Sequence, residues 1–245
     1  MDIPKEYNYE NIAGLKTPSW LPRQYASDQA SVLLLGLSEY YEQTKDEVIY
    51  NYLRKLCDAI VAMQVNDESS EFNGSFLSWE NTWHAWGNLQ SYALLKCYPL
   101  TNDESYLNAA KNELDNFYKY LLNNNFLNSF SVEMKDGQIV TIQNEKFSQI
   151  AYNIRPMVFA LLEAYKIIGE EKYAEQAANT ALWFVGNNPA NAIVYDKDSG
   201  RIYDGINSVD DVNKNSGAES TIEGLLSLMK IKSTPAALKH FMKDE

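Results

Sequence analysis

The stretch Leu37-Ser-Glu-Tyr-Tyr41, followed by Thr44-Lys-Asp46-Glu47 and Tyr52-Leu53, returns as Leu94-Leu-Lys-Cys-Tyr98, Thr101-Asn-Asp103-Glu104 and Tyr106-Leu107. A third version reads Leu161-Leu-Glu-Ala-Tyr165, Gly169-Glu170-Glu171 and Tyr173. From Asp46 to Asp103 to Glu170 the spacing is 57 and then 67 residues. In each copy an apolar run closes one helix and an acidic pair suited to a first turn opens the next, so the repeating unit is a helical hairpin. A worn fourth copy is Leu225-Leu-Ser-Leu228 followed by Ser233-Thr234-Pro235, where Thr234 caps and Pro235 starts a last helix.

Working outward from these ends, eight helices are expected at about residues 27–43, 46–64, 81–98, 103–123, 148–168, 170–186, 217–230 and 234–243. The odd-numbered ones carry few charges: Asp28 and Glu39 in the first, Lys96 in the third, Arg155 and Glu163 in the fifth. They are expected to be buried on most sides, and the amphipathic even ones to shield them. Alternating buried and amphipathic helices predict an all-α fold, an α/α toroid, as a single domain over residues 1–245. A six-hairpin ring at this period takes roughly 360 residues. About four hairpins therefore predict a ring that is incomplete, small, or closed by another copy in a homo-oligomer. Two short β-hairpin inserts are expected: Ser129 to Met134 with Gln138 to Ile142 around Asp136-Gly137, and Ile193-Val-Tyr195 with Arg201-Ile-Tyr203 around Asp196-Lys-Asp-Ser-Gly200. Both precede odd helices, so long connections gather where those helices begin.

Composition narrows the function classes. A 45% hydrophobic share supports a packed core, and 33 acidic against 21 basic residues give a net charge of −12, which repels nucleic acid and anionic membranes. Cys57 and Cys97 alone build neither a disulfide framework nor a Cys-rich metal site and read as buried thiols. Met1 to Glu10 has no basic, apolar leader character, and no apolar run nears the ~20 residues that span a bilayer. The expectation is a soluble, cytoplasmic protein, although a chain trimmed of a leader has the same look.

The starts of the odd helices carry the chemistry: Ser27-Asp28, Trp79-Glu-Asn-Thr-Trp83-His84-Ala-Trp86, Tyr152-Asn153-Ile-Arg155 and Asn213-Lys-Asn215-Ser216-Gly-Ala-Glu219. Aromatic faces with amides and carboxylates suit a polyhydroxylated ligand, because rings stack on sugar C–H surfaces while polar groups fix hydroxyls. Trp79, Trp83, His84, Tyr152, Asn153, Arg155 and Asn215 are the candidate binding residues. On a helix, Trp79, Trp83 and Trp86 share one face, which serves core packing as well as ligand stacking. Ser216 and Glu219 match a capping box, and Glu219 equally suits a general acid whose proton is retained by burial. A glycosidase needs a second carboxylate. Asp28, Asp204, Asp210 and Asp211 are the candidates. His84 and His240 are too far apart for a two-histidine metal motif, and Asp196-Lys-Asp198 lacks the rest of a calcium loop, so no metal or cofactor is expected.

Trp183-Phe-Val-Gly-Asn187-Asn188-Pro189, Val194-Tyr-Asp196, Tyr203-Asp204-Gly205 and Asn213-x-Asn215-Ser-Gly-Ala-Glu219, taken in order, resemble the C-terminal part of six-hairpin glycosidase-like proteins, most closely over about residues 148–230. The resemblance implies an α/α toroid and carbohydrate chemistry. In the more distantly similar family 9 glycoside hydrolases a glutamate near the start of a late inner helix is the acid and a paired-aspartate motif supplies the base. Glu219 matches the first, while Ser27-Asp28 offers a single aspartate. The sequence therefore points to a glycoside hydrolase acting on an oligosaccharide or glycoside, with Glu219 as acid and Asp28 or Asp204 as base. The alternative is a glycan-binding accessory module without turnover.

Overall fold

The computed structural model describes residues 7–244, so residues 1–6 of the polar N-terminal stretch lie outside the described residues. The chain divides into two compact units, one reaching to Tyr118 and including Ser129–Asn144, the other comprising Lys119–Asn128 and Glu145 onward. Among the described residues no helix is long and apolar enough to cross a membrane.

The first unit begins with a hairpin of β1 (Tyr9–Ile12) and β2 (Leu15–Pro18), followed by α1 (Ser27–Thr44), α2 (Glu47–Ala62), β3 (Thr82–His84), α3 (Gln90–Thr101) and α4 (Glu104–Asn112). After α4 the chain passes through a π-helical stretch, Glu113–Tyr118, into α5 (Lys119–Asn123), so the fourth expected helix is present with a wide turn inside it. The repeat is a stop-and-start device. Lys45 and Asn102 take left-handed conformations that end α1 and α3, and the next residues, Asp46 and Asp103, accept the Val48 and Ser105 N–H groups to open α2 and α4. Helices α1, α2, α3 and α4 pack on one another around Leu34, Leu53, Leu56, Ile60, Leu94 and Tyr106.

The third helix starts at Gln90 and not at residue 81. Residues 82–84 form a strand paired with β4 (Ser129–Lys135), Trp83 opposite Phe130, and β4 neighbours β5 (Gln138–Glu145). Pleat alternation sends Trp83 inward, 1% exposed, onto Phe117 and Phe130, while the Thr82 and Ser131 hydroxyls bond at 2.8 Å. Gly87 then passes so close to His84 and Asp28 that a side chain there would collide with both. Long-range pairing overrides the helical spacing of Trp79, Trp83 and Trp86, which share no helix face.

The second unit holds β6 (Gln149–Ile150), α6 (Ile154–Ile168), α7 (Glu171–Ala181), β7 (Tyr195–Asp196), β8 (Arg201–Ile202), β9 (Gly205–Ser208), β10 (Asp211–Asn213), α8 (Ala218–Ser233) and α9 (Pro235–Asp244). Gly169, left-handed, ends α6, completing the third copy of the repeat. Here too the expected helix at 148–168 starts late. Gln149 is spent on a strand pairing with Ile206 of β9, and its amide oxygen accepts the Trp183 indole N–H at 3.1 Å. Strand β7 pairs antiparallel with β8, and β9 with β10. Helices α6, α7, α8 and α9 pack around Val158, Leu161, Tyr173, Ala177 and Trp183.

Low charge overstates burial at two of the odd helices. On α1 the fully buried stripe is Leu34 among small residues (Ser27, Ala30, Ser31, Ser38), with Val32 and Tyr40 exposed. Likewise α8 buries Ser220, Glu223, Gly224, Ser227 and Ile231 and exposes Ile222, Leu226 and Met229. Small side chains permit close approach on one face and contribute nothing on the other. Cys57 and Cys97 are both buried free thiols in the first unit.

Candidate functional site

In the first unit, the Asp28 N–H donates to the Ser78 carbonyl, which brings Ser78–Trp79 alongside the start of α1. His84 follows at the end of β3. Its Nε2 lies 3.6 Å from Asp28 Oδ2, its ring stacks on Trp86 at 4.3 Å, and its Nδ1 is buried without a hydrogen-bond partner. Burial lowers the proton affinity of the imidazole, and Asp28 opposes that only in part. Trp79 and Trp86 are 47% and 44% exposed, the former with its indole N–H on the Gln24 carbonyl at 3.1 Å. Two partly exposed indoles, Trp79 beside the start of α1 and Trp86 with one face on His84, thus accompany a histidine and a carboxylate. Trp83, grouped with them by sequence, belongs to the core instead.

In the second unit, Tyr152 and Asn153 form a short 3-10 turn before α6, and Arg155 lies in the first turn of that helix. The Arg155 guanidinium lies 5.8 Å from the Tyr152 ring and 5.3 Å from that of Phe159, and its Nε donates to Glu223 Oε2. Asn153 is 5% exposed, and neither polar atom of its side chain finds a partner. Burial raises the Glu223 carboxyl, and the like charge of Glu219, one turn earlier on α8, pushes the same way against the bond and charge of Arg155. Sequence reasoning missed Glu223. The signal was Arg155, the one cation in the first turns of a low-charge helix, since a buried guanidinium requires a carboxylate partner.

The start of α8 differs from the expected capping box. Gly217 is the cap residue, and the third helical position is Ser220. Asp204 Oδ1 accepts the Gly217 N–H at 3.0 Å and the Ser220 hydroxyl at 2.5 Å. An aspartate at a helix N-terminus makes charge-assisted bonds that the neutral Ser216 hydroxyl cannot match. Ser216 pairs with Thr221 at 3.2 Å, and Glu219 is left exposed. Asn215 is also exposed, its carbonyl accepting the Asp204 N–H at 2.7 Å. Asp28 belongs to the first unit, and Asp204 and Glu219 to the second. Asp196 folds a local turn by accepting the Asp198 N–H at 3.1 Å, and no group of three or more His, Cys, Asp or Glu stands ready for a metal among the described residues.

Compared by sequence, the chain matches no protein-family model and no curated protein. Compared by structure, it is similar to an unsaturated glucuronyl hydrolase from Bacillus sp. GL1, responsible for the degradation of glycosaminoglycan, with a TM-score of 0.63 at 14% identity over 84% of this chain and 55% of the other. It is also similar to a family 76 α-mannanase from Bacteroides thetaiotaomicron, with a TM-score of 0.58 at 17% identity over 93% of this chain and 59% of the other. An α-1,6-mannanase of Salegentibacter sp. HEL1_6, inactivated by two Asp→Asn replacements and bound to α-1,6-mannotriose, gives 0.55 at 14% identity over 83% and 62%. The chain spans between 55% and 62% of the length of these proteins. Likeness at such low identity speaks to architecture and leaves chemistry aside. The fold of this chain is that of the six-hairpin glycosidase-like proteins.

Proposed function

We propose that this protein is a carbohydrate-active enzyme, a glycoside hydrolase working by paired-carboxylate chemistry on an oligosaccharide or glycoside, without cofactor and in the cytoplasm. The observation that carries the reading is the pair of partly exposed indoles, Trp79 beside the start of α1 that bears Asp28 and Trp86 stacked on His84. Indole faces receive sugar rings and the carboxylate fixes or activates a hydroxyl. Glu219 is assigned as the acid: its proton passes to the glycosidic oxygen as the bond to the anomeric carbon breaks. The base takes a proton from the attacking water. Its two candidates are Asp28 and Asp204: Asp204 accepts the Gly217 N–H and the Ser220 hydroxyl, and Asp28 accepts the Gln29 N–H at 2.6 Å. The catalytic domain is assigned to the whole of residues 1–245, as an incomplete or small ring of about four hairpins whose flanks favour self-association.

A second reading, a glycan-binding accessory module, is favoured by the solvent exposure of Glu219. One experiment separates the two. A panel of oligosaccharides is incubated with wild type, Glu219→Gln, Asp28→Asn and Asp204→Asn, and both released reducing ends and bound sugar are measured. The hydrolase reading expects turnover that falls on the order of 10²–10⁴-fold in Glu219→Gln and in one of the two aspartate variants. Equal turnover in wild type and Glu219→Gln removes Glu219 from the mechanism. Binding by wild type with no cleavage of any sugar establishes the accessory module.

A further inference from the structure

Helix α8 buries Ser220, Glu223, Gly224, Ser227 and Ile231 against α6, α7, α9 and β8, and its opposite side is apolar and open. Ile222, Leu226 and Met229 are 54%, 40% and 64% exposed, and with the exposed Glu219 they follow one another at intervals of three, four and three residues. That spacing is the seam of two helices wound on each other, and a seam that faces water lacks its second helix. Charge says which helix fits. The chain carries a net charge of −12, yet α8 is balanced and its charges are sorted, with Glu219 and Glu223 in its first half and Lys230 and Lys232 in its second. Glu223 is held by Arg155, whereas Glu219 and Lys232 are exposed and Lys230 is half-buried, its ammonium 5.9 Å from the Phe159 ring. Two copies of α8 laid side by side in opposite directions therefore set acid against base at both ends of the seam. Laid in the same direction they set like against like, and a wholly acidic or wholly basic helix is repelled at one end.

We infer that this face joins two copies of the chain in a two-fold pair, α8 antiparallel on α8. The axis crosses the seam near Gly224, so that Ile222 meets the partner's Leu226 and Glu219 lies beside the partner's Met229 and the partner's Lys230. Every contact is then made twice, and the pair closes on itself without growing. A helix of 16 residues is about 24 Å long. Alone it falls short of the roughly 800 Å² per copy of a standard interface, so the association is weak, with a Kd on the order of 10–100 μM. The inference rests on the self-association proposed above and names the flank that makes it. Glu219 is closed off in the pair, so the acid's role assigned to it belongs to the single copy.

Sedimentation velocity of the whole chain from about 2 μM to about 0.5 mM, a range that brackets this Kd, is the test. Wild type is expected to pass reversibly from one copy to two and no further. Leu226→Glu places a carboxylate in the seam twice over and should abolish the pair up to about 0.5 mM. Val32→Glu, at an exposed position of α1, should leave the pair unchanged. Glu219→Lys should weaken it by about tenfold at low salt, and adding Lys230→Glu should restore it, because the exchange re-creates opposite charges only where the helices run in opposite directions. Circular dichroism verifies that each variant keeps its helices. Association that survives Leu226→Glu overturns the inference while leaving self-association through another flank in place. Open-ended growth has the same force, because a two-fold pair closes. A wild type that stays single at about 0.5 mM overturns both, and means that something other than a second copy covers the face. Failure of Lys230→Glu to restore what Glu219→Lys weakens overturns the antiparallel pairing. None of these readouts depends on cleavage of a sugar.

Discussion

Glu113→Gln should abolish one identifiable share of the pH dependence of stability. Glu113 opens the π-helical stretch, is fully buried, and accepts the Phe76 N–H at 3.2 Å and the Ser91 hydroxyl at 2.6 Å. Burial pushes its carboxyl from 4.5 up to about 8, outweighing the bonds from Ser91, Phe76 and Tyr118 that favour the charged form. A raised carboxyl means that the folded protein keeps a proton the unfolded chain releases. Stability from this group is therefore complete below pH 4.5 and is lost progressively as pH rises to about 8. One proton carries ~1.4 kcal/mol per pH unit, so the loss across that window has a ceiling of about 5 kcal/mol. Glutamine keeps the shape: its carbonyl still accepts from Phe76, its amide donates to Ser91, and nothing titrates. Urea unfolding of both proteins at pH 5, 7 and 8.5 isolates the group, since other titrations cancel in the difference. The variant should gain several kcal/mol relative to wild type between pH 5 and 8.5. Curves that stay parallel over that range refute the reasoning.

The two kinds of tryptophan should respond oppositely. Trp83→Ala removes a core side chain and should cost ~3–5 kcal/mol in urea unfolding, whereas the exposed Trp86→Ala should stay within about 1 kcal/mol while weakening sugar binding measured by calorimetry. In the second unit, Glu223→Leu strands the Arg155 guanidinium and should cost ~3–5 kcal/mol, and adding Arg155→Met should recover most of that loss in the same unfolding assay.

What the sequence made legible was local. Lys45-Asp46 and Asn102-Asp103 end one helix and begin the next with side chains a few residues apart, so the hairpin repeat could be read without knowing any partner. Residues 82–84 and 149–150 were illegible for the opposite reason. Their conformation is decided by Phe130, 47 positions beyond Trp83, and by Ile206, 57 beyond Gln149, and neither signal lies within a helical window. Of the site residues, Asp28 and His84 lie in one cluster and Tyr152, Asn153 and Arg155 in another. Trp83 belongs to the core, and Glu223, the buried partner of Arg155, lies one turn beyond Glu219, inside α8 and past its first turn.

These failures share a cause that bears on function. Helices α2 and α4 open on the aspartates that precede them, and such ends are chemically finished. The first residues of α1, α3, α6 and α8 have no cap from the side chain before them. At α1 a helix N–H is taken by the Ser78 carbonyl, and at α8 the Gly217 N–H goes to Asp204, which also accepts the Ser220 hydroxyl, both acceptors coming from distant segments. These remote groups share the duty of the helix start with local ones, since Asp28 itself accepts the Gln29 N–H at 2.6 Å. Asp28, Arg155 and Glu219 all sit in such first turns. Arg155 stands there against the helix dipole and is held by Glu223. A site built on these ends is therefore set by the long-range contacts that place the caps. On this argument, removing a remote cap such as Asp204 should disturb Glu219 before it disturbs the core.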